Sequence, residues 1–209
     1  LFVWSGINAE TYTWQLSKTT AFTTLTDSVV DTSASSLTRT LPHEDTFYWR
    51  VIAKNTLGQM DTTPARGLLL DTSVRPVSPS LPADAHETNT LPGVQWTALS
   101  DSVGIDSYAV EASNSSSFTA TVFADTIDVS RTSDTLPGLY NDTFFWRVRG
   151  IDHLGNAGVN STPRGFLLDT SVGQVAVSAP ADAHETANTS VVAQWSALSD
   201  STGSDSYLI

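Results

Sequence analysis

Cysteine is absent from the 209-residue chain, and only ten Lys and Arg stand against 22 Asp and Glu, a formal net charge of −12. The first absence excludes a disulfide framework, a thiolate zinc site and a Cys nucleophile, so stability must come from packing. The second sets up a field that repels phosphate backbones and anionic headgroups, which predicts no nucleic-acid partner. No apolar run approaches the roughly 18 residues of a membrane span, so no membrane insertion of this segment is expected. The stretch "LFVWSGINAE" has neither a basic n-region nor a small-residue cleavage site. GxSxG, HExxH and Gly-rich phosphate loops are missing too, and no segment carries a helical apolar stripe.

What the sequence does have is a repeat. "LLLDTSV" at 68–74 returns as "FLLDTSV" at 166–172, "PADAHET" at 82–88 returns at 180–186, and "QWTALSDSVGIDSY" at 95–108 returns as "QWSALSDSTGSDSY" at 194–207. "DTFYWRVIAKNTLGQMD" at 45–61 is likewise close to "DTFFWRVRGIDHLGNAG" at 142–158. The period of about 98 residues is the size of one sandwich domain. Residues 73–171 make one complete unit, 1–72 a unit without its first strand, and 172–209 the first strands of a third. Three strands alone cannot cover their own apolar face. The simplest expectation is a window on a longer repeat chain, and the rival is strand exchange between neighbouring chains.

Within a unit, apolar and polar residues alternate with the period of a strand that buries one face. "GVQWT" turns Val94 and Trp96 inward, "DSYAVEAS" turns Tyr108, Val110 and Ala112 inward, and "TFFWRVRG" turns Phe144, Trp146 and Val148 inward. Two weaker strands are expected within 121–136 and a last one at "RGFLLD", with Gly, Asn, Asp and Pro between them. The fold class is therefore all-β: tandem antiparallel β-sandwiches of about seven strands per repeat. The Trp of the second strand, "YAV" on the third, and "FWRVRGID" followed by "GNAG" resemble fibronectin type III and bacterial immunoglobulin-like repeats of large secreted microbial surface proteins. In such repeats the sixth strand usually starts on a Tyr whose hydroxyl ties the corner to the backbone. Here the position is Phe144, and Phe47 in the earlier copy.

Trp146 and Trp49 are expected to fill the core beside Trp96 and Trp4. The outward set on the same strands is Phe145 with Arg147, repeated as Tyr48 with Arg50. Its plain reading is an Arg stacked over a strand aromatic and paired with Glu111 across the sheet. Its sharper reading is a lateral contact with another copy, a neighbouring repeat or a glycan. His86 with Glu87 and His184 with Glu185 belong to the duplicated "DAHET" segment, read as a solvated turn, and no catalytic residue is assigned. Calcium is the one cofactor the acidic turns suggest, through Asp101 and Asp106 and their repeats Asp200 and Asp205. Glycosylation sequons occur at Asn114, Asn141, Asn160 and Asn188.

Scarce Lys and Arg and abundant Ser and Thr suit an extracellular or cell-surface protein. The expected function is structural: a semi-rigid spacer in a stalk, fibre or surface layer, with lateral assembly. The alternatives are an adhesin-type module for a glycan or receptor, and spacer domains of a large secreted hydrolase. No enzyme activity is expected in this segment.

Overall fold

The computed structural model describes residues 1–6 and 8–197. The chain divides into two compact units, Leu1–Thr72 and Ser73–Ile209. Asp200 and Asp205 lie outside the described residues. The described elements are all strands, and every pairing but one is antiparallel.

Unit 1 carries β1 (Phe2–Val3), β2 (Thr11–Ser17), β3 (Asp27–Thr32), β4 (Ser36–Leu37), β5 (Asp45–Lys54), β6 (Met60–Thr62) and β7 (Arg66–Leu70). β5 is the hub, pairing with β2, β6 and β7, and β3 lies beyond β2. On β2 the alternation works as expected: Tyr12, Trp14 and Leu16 are buried while Thr11, Thr13 and Gln15 sit half-buried on the other face. These residues meet Phe2 from the small β1–β4 sheet, together with Phe47 and Val51 of β5.

Unit 2 continues with β8 (Pro79–Leu81), β9 (His86–Thr88), β10 (Gly93–Trp96), β11 (Ile105–Ser113), β12 (Phe123–Asp128), β13 (Ser133–Thr135), β14 (Asp142–Asp152) and β15 (Arg164–Leu168). One sheet runs β13-β10-β8 and the other β12-β11-β14-β15-β9. Their inner faces share one core containing Val94, Trp96, Tyr108, Val110, Trp146, Val148 and Phe166. β14 alternates without interruption, so Phe144, Trp146 and Val148 are buried and Phe145, Arg147 and Arg149 are half-buried outside. Residues 177–179 and 194–195 form a further pair, β16 (Val177–Ala179) and β17 (Gln194–Trp195).

Two sequence expectations need correction. The "DAHET" segment is read as a turn, yet His86–Thr88 forms β9, the one parallel pairing, with Phe166 opposite His86 and Leu168 opposite Thr88. The chain leaves β8 in one sheet, turns through Ala85 at a φ of 57°, and enters the other sheet as β9. His86 and Glu87 themselves remain exposed, so the pairing is made by backbone that carries no apolar signal. Second, Trp49 and Trp4 are half-buried where Trp146 and Trp96 are buried. In unit 2 the second strand β10 is flanked by β13 and β8. Its counterpart β1 pairs with β4 alone among the described residues, so one side of the Trp pair is left uncovered.

The Phe that replaces the corner Tyr is buried in both copies. An aromatic from the preceding turn covers it, Tyr140 at 5.8 Å from Phe144 and His43 at 5.7 Å from Phe47, ring centroid to centroid. The corner is thus held by ring packing instead of a phenolic hydrogen bond.

Candidate functional site

The outward Arg of each copy is clamped from two sides. Arg147 reaches across to Glu111, its Nε donating at 2.8 Å and its Nη2 lying 2.6 Å from the same Oε2. The register sets this up, since Glu111 stands directly opposite Arg147 on β11. Arg50 makes the matching bond to Gln15 at 2.8 Å, so the charge pair of one copy is a neutral pair in the other. The stacking partner is not the strand neighbour that the sequence suggests. Arg147 lies 4.0 Å over the ring of Phe118, and Arg50 lies 4.2 Å over Phe22.

Both aromatics come from the turn after the third strand and have a left-handed backbone at φ 52°. A buried Ser builds that turn: Ser113 Oγ donates to the Ala120 carbonyl at 2.6 Å and accepts from Ser115 N–H at 3.0 Å. Ser17 does the same with Thr24 and Thr19 at 2.9 and 3.2 Å. The ring is thereby folded back over the sheet, where the flat guanidinium can lie on it.

Phe145 and Tyr48 have a different task. Phe145 stands opposite Gly165 and Tyr48 opposite Gly67. A Cβ placed on Gly165 would meet the Phe145 ring at 3.2 Å, and one on Gly67 would meet the Tyr48 ring at 3.8 Å. Each aromatic therefore lies across a glycine of the last strand and shields backbone that has no side chain of its own. The four residues Tyr48, Arg50, Phe145 and Arg147 are all half-buried within their own units.

Further pairs recur. Val148 N–H donates to Ser161 Oγ at 3.1 Å while Ser161 N–H donates back to Val148 O at 2.9 Å, and Val51 with Thr63 repeats both bonds at 3.1 and 2.9 Å. Ahead of the sixth strand, Asn141 Oδ1 accepts from Thr170 N–H at 3.0 Å and its Nδ2 donates to Ser171 Oγ at 2.7 Å. Glu44 accepts from Thr72 N–H at 2.8 Å in the corresponding place. The Asn141 amide is thus engaged at both ends, whereas Asn114 and Asn188 are exposed and Asn160 is half-buried.

The acidic turn is arranged differently from the sequence expectation. Asp106 is exposed and its carboxylate lies 3.5 Å from His153 Nδ1. Asp101 instead has a carboxylate oxygen within 4.8 Å of one from Asp152. Asp152 is buried at the β14 hairpin and accepts N–H bonds from Leu154 and Asn156, each at 2.8 Å, and a side-chain bond from Asn156 at 2.7 Å. Burial pushes its carboxyl up, but these donors outweigh that and hold it below its ordinary value. Sequence reading missed Asp152 because nothing in "GIDHLGNAG" shows that one Asp holds the turn from inside.

Unit 1 also carries a groove of about 520 Å³ lined by Val3, Trp4, Trp49, Val51, Pro64 and Arg66, among others. The corresponding surface of unit 2 is occupied by β8 and the residues before it. There Val77 is buried in the core at 3% exposure. Thr97 N–H donates to Ser78 O at 2.9 Å, and Arg164 Nη1 donates to the carbonyls of Ser80 and Pro82, both at 2.8 Å.

No family model and no curated protein matches the chain. Among solved structures it is similar to the fibronectin(III)-like modules of CbhA from Clostridium thermocellum, at 12% identity and a TM-score of 0.39, over 79% of this chain and 81% of that one. It is similar to the FN1–FN3 domains of chicken CNTN1 at 12% identity and a TM-score of 0.39, over 76% of this chain and 56% of that one. Half of the chain is similar to 12% of a Streptomyces avermitilis alpha-L-rhamnosidase, at 16% identity and a TM-score of 0.37.

Proposed function

We propose that the chain is a run of structural repeats from an extracellular microbial surface protein, serving as a semi-rigid spacer in a stalk, fibre or surface layer. The observation that carries this reading is what the two copies have in common. The Arg clamp over a turn aromatic, the ring over a strand glycine, the Val–hydroxyl bracket and the tie to the exit segment recur in both. Each of these holds a unit together. Positions that differ between copies, such as Glu111 against Gln15, exchange one internal partner for another. Such a chain works through length and stiffness and has no chemistry of its own.

Scarce Lys and Arg and abundant Ser and Thr support a location outside the cell, where a solvated β-protein with few basic groups is at home. The test is immunogold electron microscopy of the source cells with an antibody raised against residues 73–171. Label along filaments or a surface coat is the expected result. Label in the medium that travels with a hydrolytic activity would overturn it in favour of spacers in a secreted enzyme.

A further inference from the structure

The basic side chains of unit 2 other than His are Arg75, Arg131, Arg147, Arg149 and Arg164. All but Arg149 are engaged within the unit. Arg75 Nη2 donates to the Ser100 carbonyl at 3.0 Å, Arg131 Nη2 lies 3.3 Å from Asp134, Arg147 holds Glu111, and Arg164 holds the carbonyls of Ser80 and Pro82. Among the described residues Arg149 has neither a hydrogen bond nor an ion pair, and its Nε is buried without a partner. Leaving a buried donor of a charged group unpaired is costly, so the fold of the unit does not account for this Arg. In unit 1 the matching position is Ile52, opposite Thr13 as Arg149 is opposite Ala109. A strand of the same repeat therefore forms with an apolar side chain there.

The acids on the same outward face do not serve Arg149. Glu111, the next outward residue of β11 after Ala109, is bound to Arg147. Asp128 stands opposite Ser107 on β12, with β11 between it and β14. Neighbouring strands lie about 4.8 Å apart, so Asp128 and Arg149 are separated by at least about 10 Å within the sheet. Asp128 is exposed and anchored, its Oδ1 accepting the Ser130 N–H at 2.9 Å. The side chains between the two are short: Ser107 and Ala109 on β11, and Thr126 on β12. A face with small residues along its middle strand, a cation on one flank and an anion on the other is complementary to itself.

We propose that the outward face of β12, β11 and β14 in unit 2 is a contact between two copies of this chain, in which Arg149 of each pairs with Asp128 of the other. A two-fold axis along β11 lays β14 of each copy over β12 of the other. Arg149 then stands over Thr126, one step along the strand from Asp128 and within reach of a long side chain. The two faces approach across Ser107, Ala109 and Thr126 at about the 10 Å of packed sheets. The same patch is used twice, as an isologous contact requires. The net charge of −12 on each copy opposes association, but at physiological salt that repulsion is screened beyond about 8 Å while a close, partly buried pair is screened much less.

The test is sedimentation velocity of the full 209-residue chain in about 0.15 M salt over a range of concentrations. The unaltered chain is compared with Arg149→Ile, Arg149→Asp, Asp128→Arg and the double variant Arg149→Asp with Asp128→Arg. The expected result is a monomer–dimer equilibrium that each single substitution weakens by at least about tenfold and that the double variant restores. Arg149→Ile installs the residue that unit 1 carries, so it keeps the fold, and thermal unfolding of each variant run alongside verifies this. A mass that stays at 22.3 kDa at every concentration overturns the proposal and leaves the spacer role standing. Dimers that survive both Arg149 substitutions, or that the double variant fails to restore, overturn it as well by placing the contact elsewhere.

Discussion

The guanidinium of Arg147 lies 4.0 Å over the ring of Phe118 while its edge faces Glu111. One side chain therefore ties together β14, β11 and the turn that follows β11. Since Arg50 in unit 1 replaces the carboxylate by Gln15, the molecule contains its own charged and neutral versions of one clamp.

Glu111→Gln should convert the second clamp into the first. The expected loss in unit 2 is under about 1 kcal/mol, because a partly exposed ion pair is weakly stabilising, and it should shrink toward zero in 1 M salt as screening removes the charge contribution. Phe118→Ala should cost about 0.5–1 kcal/mol from the lost cation–π contact at either salt. Urea unfolding followed at the amides of β11 and β14 would measure both.

Of the described glycines in unit 2, Gly158 and Gly150 leave the least room for a side chain. A Cβ on Gly158 would lie 2.9 Å from the Val74 carbonyl oxygen, which is backbone and cannot swing aside, and one on Gly150 would lie 2.9 Å from Leu99 Cδ1. Gly158→Ala should destabilise the unit by about 1–3 kcal/mol, as overpacking does. Gly150→Ala should cost less, since a leucine terminus can rotate. Thermal unfolding of the two variants side by side checks the order.

At Asn141, attachment of a sugar to Nδ2 would displace the bonds to Ser171 and Asp169. Expressed in a host that N-glycosylates, the chain should carry glycan at the exposed Asn114 and little or none at Asn141. Peptide mapping by mass spectrometry decides this, and full occupancy of Asn141 would contradict the tie described here.

The hairpin at Asp152 should respond to acid. Its folded pKa is depressed, so the stabilisation is present above the unfolded carboxylate value of about 3.9 and is lost as pH falls through the lower folded value. Asp152→Asn should flatten this dependence and keep the turn, because Asn55 already accepts the corresponding N–H groups of Leu57 and Gln59, each at 3.0 Å. Amide exchange of Leu154 and Asn156 between pH 2 and 6 is the readout.

Much of the sandwich is legible in the sequence because burial on one face writes itself as alternation: Phe144, Trp146 and Val148 against Phe145, Arg147 and Arg149. The Arg147–Glu111 pair follows from that phase once β11 and β14 are neighbours. What escapes is whatever depends on backbone alone or on the far side of a turn. β9 pairs through main-chain groups under exposed His86 and Glu87, so no apolar signal announces it. Phe118 becomes the stacking partner through a left-handed residue that its neighbours in "NSSSFTA" do not advertise. Trp49 shares the inward phase of Trp146, and its half-burial reflects the strand beside it, which local sequence does not describe.

The parallel pairing of β9 with β15 sets how the complete repeat meets mechanical load. These strands belong to the segments by which the chain enters and leaves the repeat, and Asp169 N–H adds a further bond to Thr88 O at 2.9 Å. Tension drawn through the chain from Ser73 to Thr170 pulls the two strands past each other in opposite senses. The bonds of that ladder are then strained together in shear, whereas at a hairpin end they would be peeled apart in turn. A repeat closed in this way resists stretching through its whole first and last contact at once, until that ladder gives and the units behind it take up the slack.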